Sequence, residues 1–326
     1  MHFLERHWQR PTLLSTALLP LGWLYCAVSG ARRFGYRRGW FRRERFSVPV
    51  IVIGNITVGG TGKTPLTLWL AAFLRNAGFR PGIVTRGYGG RGERWPCMVE
   101  AHSDPNEVGD EPVLLARNSG VPVAAGPDRA AAGRLLMQHH RCDVLLSDDG
   151  LQHYRLARDI EIAVIDGERR FGNGRCLPAG PLREPVSRLK SVDLRVTHGV
   201  PATGELGMVL GASGFRELIG GRVETQPPAA SGAWHAVAGI GHPTRFFSQL
   251  RAMGLDIVEH AFADHHRFRP QDLAFGGEAG VLMTEKDAVK CQRFARPGWW
   301  AATVQARPDE RLGAAILTLL KEKAGG

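Results

Sequence analysis

The tightest constraint on this chain is an apolar stretch that runs into a glycine-rich turn, Ser47-Val-Pro-Val-Ile-Val-Ile-Gly-Asn-Ile-Thr-Val-Gly-Gly-Thr-Gly-Lys-Thr64. Glycines let successive backbone N–H groups turn inward around phosphate oxygens, and a helix beginning at the turn adds its positive end. In such a loop Thr57, Val58, Gly59, Gly60, Thr61, Gly62, Lys63 and Thr64 wrap a nucleoside triphosphate. Lys63 reaches the β- and γ-phosphates and the Thr64 hydroxyl ligates Mg²⁺. The general pattern asks for glycine five residues before Gly62, where this chain has Thr57. The surroundings outweigh that mismatch. Residues 51–54 read as a buried strand, and residues 63–76 as a helix with Pro65 in its first turn and Gly78 just past its end.

Beyond the loop, apolar runs at 80–85, 121–124, 144–147 and 160–166 alternate with helical patterns at 111–118 and 128–140. This βαβ rhythm predicts an α/β fold, a P-loop NTPase-like parallel sheet with helices on both faces. Strands are expected again at 192–197, 234–241, 256–262, 280–284 and 300–305, with helices at 243–253 and from 309. The predicted organisation is an N-terminal apolar and basic segment (1–46), an ATP-binding domain (47–168), a Gly/Pro-rich joint (169–185) and a smaller α/β domain (186–326). The last helix could pack back on the first domain.

The 326 residues are 44% hydrophobic, which excludes a disordered chain. A net charge of +11 suggests nucleic acid only if it is spread over the folded domains. It is not. Residues 1–46 hold nine arginines against two glutamates, a net +7, which leaves +4 for the other 280 residues. Among those arginines lie residues 11–30, without a formal charge and long enough to cross a bilayer as a helix. Pro20 and Gly22 equally suit a segment lying in the membrane interface, with Trp8, Trp23, Tyr25 and Trp40 near the headgroups. Either way, the membrane surface is a partner. Five scattered cysteines show neither a disulfide framework nor metal-binding spacing.

A P-loop needs a second anchor for Mg²⁺, usually an acid at the end of a neighbouring strand. Asp148 and Asp149, ending the run Cys142-Asp-Val-Leu-Leu-Ser, supply it. Phosphoryl transfer to an alcohol also asks for a proton acceptor and for cations. Candidates are Asp110-Glu111 at a helix start, Asp264-His265-His266 closing a strand, Arg183-Glu184, and the charged run 284–290, whose plainer reading is a solvated helix face.

Taken in order, Gly-Asn-Ile-Thr-Val-Gly-Gly-Thr-Gly-Lys-Thr-Pro (54–65), Thr-Arg-Gly-Tyr-Gly-Gly (85–90), Gly-Asp-Glu-Pro (109–112), Asp-Asp-Gly-Leu-Gln-His (148–153), Pro-Ala-Gly-Pro-Leu-Arg-Glu-Pro (178–185), Asp-His (264–265) and Thr-Glu-Lys-Asp-Ala-Val-Lys (284–290) form a series. In that series the chain resembles the tetraacyldisaccharide 4′-kinases, the lipid A 4′-kinases of Gram-negative bacteria. The resemblance implies transfer of the ATP γ-phosphate to the 4′-hydroxyl of an acylated disaccharide 1-phosphate, at the cytosolic face of the inner membrane. It also accounts for Thr57, since the family's loop carries a small hydroxyl residue there. Carried over by residue, Lys63 and Thr64 serve ATP and Mg²⁺, Asp148 and Asp149 hold the strand-end acidic positions, and Asp110 with His265 forms the proton-accepting dyad. Arg86, Tyr88, His153, Arg183 and Glu184 fall on positions lining the family's cleft. No nucleic-acid partner is implied, and the chain is expected to act as a monomer. Two other readings share parts of this pattern: a switch-type P-loop ATPase at the membrane, and a tethered nucleotide or nucleic-acid binder.

Overall fold

Thr12 starts the first helix of the computed structural model, which describes residues 6–226, 232–275 and 280–324. Its hydroxyl accepts the Ser15 N–H while the Ser15 hydroxyl accepts the Thr12 N–H, a reciprocal cap on α1 (Leu13–Ala17). The chain breaks at Leu18 and restarts as α2 (Leu19–Arg37), with Pro20 in its first turn. The expected apolar segment is therefore two pieces, and the second runs on through Arg32 and Arg33. Among the described residues no helix is long and apolar enough to cross a membrane. Gly22 seats α2 on the body, since a Cβ there would lie 3.1 Å from the Cys176 carbonyl oxygen. A disulfide between Cys26 and Cys176 fastens it further. That bond corrects the expectation of unpaired cysteines: its partners are 150 residues apart and meet only in the fold.

The βαβ series follows as β1 (Val50–Gly54), α3 (Lys63–Asn76), β2 (Pro81–Thr85), β3 (Cys97–Val99), α4 (Pro105–Val108), α5 (Asp110–Ser119), β4 (Val123–Ala125), α6 (Arg129–His139), β5 (Val144–Ser147) and β6 (Ile160–Asp166). β1 and β6 are buried throughout, as parallel strands covered on both faces must be. Alternation sorts their side chains into two cores. Ile51 and Ile53 pack with Leu66, Leu70 and Leu74 of α3, and Val50 and Val52 with Ala132 and Leu136 of α6.

Then come β7 (Leu194–His198), β8 (Leu206–Glu217), β9 (Val223–Glu224), β10 (Trp234–Ala238), α7 (Pro243–Ala252), β11 (Ile257–Ala261), β12 (Val281–Thr284), α8 (Glu285–Cys291), β13 (Trp299–Pro308) and α9 (Arg311–Ala324). Among the described residues the strands form one mostly parallel sheet, ordered β11-β10-β12-β13-β8-β7-β6-β1-β5-β2-β4-β3, with β9 paired to β8. Its two halves run in opposite directions and meet where β8 pairs antiparallel with β13.

Register decides what this junction does. β7 pairs only with the start of β8, ending with His198 opposite Met208. β12 pairs with the start of β13, ending with Thr284 opposite Ala302, which itself faces Phe215 near the far end of β8. The strands of the two halves therefore point at each other, tip to tip. The gap between them is about six residues of β8, roughly 20 Å at ~3.3 Å per residue. In open α/β sheets, ligands bind beyond the carboxyl ends of strands; here both sets of ends face one space. The halves are also sewn together, because Val289 of α8 and Leu312, Ile316 and Leu320 of α9 complete the core under α3.

Candidate active site

That space is a cavity of about 850 Å³. Leu210, Ala302 and Val304 of the β8–β13 ribbon line it, residues at or just beyond the carboxyl ends of β1, β2, β5 and β7 enter from one side, and those of β10, β11 and β12 enter from the other.

The glycine loop reaches the cavity from Val58 to Thr64. Asn55, fully buried, shapes it by donating to the Thr61 hydroxyl at 3.3 Å and the Gly59 carbonyl at 3.4 Å. Gly59 (φ +94°) and Gly62 (φ +92°) occupy the left-handed region, which explains glycine at both. Thr57 lies elsewhere. It forms a β-bridge with Leu182, and the neighbouring Val58 N–H donates to the Pro181 carbonyl at 2.9 Å. Its backbone is not among those with positive φ, so glycine has no conformational role there. The passage 169–185, read above as a joint, thus packs along the loop, and Arg183 N–H donates to the Ile56 carbonyl at 2.7 Å.

Lys63 opens α3, with Nζ 3.5 Å from Asp149 Oδ1. Thr64 donates to Asp148 Oδ2 at 3.2 Å, and Thr67, one helical turn on, to Oδ1 at 2.9 Å. Asp148 is buried, and that burial, with Glu111 and Asp149 nearby, pushes its carboxyl up to about 6. Asp149 differs: burial would raise it too, but Lys63, Arg183 and Arg129 hold it well below the usual carboxylate range. Two adjacent acids are thus driven apart by their surroundings. Asp149 sits at φ +48°, a strained setting held by Arg183 on its carboxylate and by Arg129, which donates to its carbonyl at 2.6 Å.

Thr64 and Asp148 suit a hard divalent cation, which prefers oxygen ligands. A buried carboxyl whose ionisation is disfavoured, 3.2 Å from a hydroxyl, is a donor pair that such a cation would satisfy.

Across the cavity, Asp110 begins α5 and is 5% exposed. Its Oδ2 is 3.1 Å from His265 Nδ1, so residues 155 apart in sequence pair between the two halves. Burial would raise the Asp110 carboxyl, but the His265 hydrogen bond and the Lys286 and Lys290 charges keep it below its ordinary range. Tyr88 packs its ring on that of His265, with centroids 4.7 Å apart. Arg86, Arg183 and His153 also line the cavity. Burial, then the Arg129 charge, lowers the His153 imidazole to about 4, so it stays neutral near pH 7. Glu184 is not at the wall. It is 2% exposed, behind Gln152, accepting from Gln152 at 2.9 Å and from Tyr154, beside the buried Arg188.

Several wall residues carried no signal in the sequence. Arg129 follows the Asp128 cap of α6, His198 ends β7 and Arg245 lies in the first turn of α7, all unremarkable positions. Gln152 and Lys286 lay inside the motifs without marking themselves out. The run 284–290 is not a solvated face: Asp287 is fully buried, accepting from the Thr284 hydroxyl at 2.6 Å and the Gly239 N–H at 2.8 Å.

A family model described as tetraacyldisaccharide-1-P 4′-kinase matches residues 14–321. A protein named tetraacyldisaccharide 4′-kinase from Nitrosococcus oceani is 51% identical over 319 residues, covering 98% of this chain and 94% of the relative. Another of that name from Alkalilimnicola ehrlichii is 52% identical over 326 residues, covering 98% of each. Among solved structures, LpxK from Aquifex aeolicus in complex with ATP superposes with a TM-score of 0.78 at 26% identity, over 94% of this chain and 100% of that one.

Proposed function

The chain belongs to the tetraacyldisaccharide-1-phosphate 4′-kinase family, and from that premise we propose how its cavity works and where in the cell it does so. It is an ATP-dependent kinase of lipid A biosynthesis that phosphorylates the 4′-hydroxyl of the tetraacyl disaccharide 1-phosphate. The observation that carries the site assignment is the tip-to-tip meeting of the two half-sheets. It sets a phosphate loop with its acidic strand end opposite an Asp–His pair, over one floor.

The N–H groups of residues 58–62 cradle the phosphates and Lys63 leaves Asp149 for the β- and γ-oxygens. Thr64 and Asp148 would hold magnesium, with Asp149 beside them. When bound, magnesium neutralises charge on the transferring phosphate. His265 takes the proton of the sugar hydroxyl and Asp110, ionised behind it, offsets the imidazolium charge. Arg86, Arg129 and Arg183 offer cations to an anionic acceptor, and Tyr88 keeps the His265 ring oriented. Glu184 acts at one remove, by fixing Gln152.

The acceptor is amphiphilic, and α2 fits that. Leu21, Trp23, Leu24 and Val28 are more than half exposed on it, while Tyr25 and Arg32 of the same helix line the cavity. An apolar face beside arginines binds anionic lipid surfaces peripherally. The enzyme so docked on the cytoplasmic face of the inner membrane would leave acyl chains in the bilayer while the sugar reaches the cavity.

The test is incubation with ATP, Mg²⁺ and tetraacyl disaccharide 1-phosphate in detergent, scored by mass spectrometry. A gain of one phosphate on the sugar, lost in Asp110→Ala and His265→Ala, is expected. ATP hydrolysis unaffected by the disaccharide would instead mark a switch-type ATPase.

A further inference from the structure

Lys286 occupies the first turn of α8, where the positive end of the helix disfavours a cation. Its side chain is nonetheless drawn inward, 16% exposed. Three acceptors hold it: Glu111 Oε1 at 3.2 Å, Asp264 Oδ1 at 3.3 Å and His265 Nε2 at 3.2 Å. An ammonium group carries donors only, so the imidazole nitrogen facing it must accept, and bears no proton. The ring proton then sits on Nδ1 and is donated to Asp110 Oδ2 at 3.1 Å. Together the two contacts select one tautomer of His265.

We propose that Lys286 is a positioning residue for phosphoryl transfer, keeping His265 Nε2 unprotonated and directed into the cavity until the sugar hydroxyl replaces it there. This rests on the assignment of Asp110 and His265 as the proton-accepting pair. In the transfer step the hydroxyl oxygen bonds to phosphorus as the bond to the ADP oxygen breaks, and the hydroxyl proton passes to Nε2. Lys286 keeps its own protons throughout and remains paired with Glu111 and Asp264.

The charges around His265 explain why a cation is needed. Asp110 meets it from α5 and Asp264 from its own loop, while Lys286 on α8 also holds Glu111 and Lys290 lies behind, 3.9 Å from Asp110. Arg267, on the same loop, is turned to the Gly89 carbonyl, and Tyr88 adds only its ring. Without Lys286, Asp110 and Asp264 remain against the imidazole and Glu111 loses its cation, which favours the second ring proton and removes the lone pair that catalysis uses.

The experiment compares full-length wild type, Lys286→Met and Lys286→Arg. Acceptor kcat/KM is measured from pH 5.5 to 9.5 with ATP and Mg²⁺ saturating, and the His265 ring is followed by ¹⁵N NMR. Lys286→Met is expected to lose about tenfold at pH 7, recover to within about threefold of wild type by pH 9, and show a doubly protonated ring at pH 7. Lys286→Arg, which keeps the charge, should retain the wild-type profile. An equal loss at every pH, or an unmoved profile with a neutral ring, overturns the proposal. His265→Gln separates the two assignments. If it keeps near-normal turnover, the dyad reading fails, and the ring's protonation in Lys286→Met still decides what Lys286 does.

Discussion

Asp148 shows how a single residue can be set against stability for the sake of a ligand. Its carboxyl titrates near 6 in the fold, above the ordinary value of about 4, because it is buried beside Glu111 and Asp149. Between those values the folded state binds the proton more tightly than the unfolded chain. The ligand-free protein therefore loses stability as pH rises through that window, and the loss is complete above it. Asp148→Asn should raise the melting temperature of the ligand-free protein by about 2–4 °C at pH 7.5 and by almost nothing at pH 5. Turnover should fall at least a hundredfold. Melts at the two pH values, with turnover beside them, check both; equal stability at pH 7.5 would remove the electrostatic argument. Much of this was legible in the sequence, since Asp148 ends an apolar run and Lys63-Thr64 ends a glycine loop. Arg129 was not, because an arginine behind a helix cap looks alike whether it faces solvent or an Asp149 carbonyl.

At the scale of elements, α2 and β8 were read least well, for different reasons. The apolar run at 11–30 has the composition of a membrane span, but Leu18 interrupts the helix and arginines fill its later turns. What is left is a helix pinned on one side by Gly22 and Cys26 and apolar on the other. Replacing both Leu24 and Val28, 60% and 61% exposed, by Glu should leave the melting temperature nearly unchanged. Partition into vesicles containing anionic phospholipid should drop at least tenfold. Unaltered partition in a sedimentation assay would show that another surface docks. β8 was missed altogether. Leu206-Gly-Met-Val-Leu-Gly-Ala-Ser-Gly-Phe-Arg-Glu217 has three glycines and no clean alternation, so local propensity argues against a strand. It is a strand because β7, β13 and β9 pair with it. Gly214 (φ +150°) lies where the register with β13 shifts, and a Cβ there would be 2.6 Å from the Glu224 carbonyl oxygen.

Over the whole molecule, the continuous sheet and the exchange of α8 and α9 into the core under α3 tie the two halves together. Strands β1 and β10 should therefore lose hydrogen-exchange protection over the same range of urea concentration. Two separated transitions in exchange mass spectrometry would show independent units. The same connection assembles the site, since Asp110 and Glu111 belong to one half and His265 and Lys286 to the other. By itself, the sequence determined what is local: a strand, glycine loop and helix that bind phosphate, most βαβ elements, and which acids, bases and arginines were present in motif order. It did so because burial pattern, turn chemistry and capping act over a few residues. Only the tertiary structure decided that Cys26 meets Cys176, that Glu184 lies behind Gln152 and not at the cavity wall, and that two oppositely running half-sheets aim their strand ends into one cavity. Those outcomes depend on pairing register between residues far apart in the chain, and no short stretch of sequence carries that information.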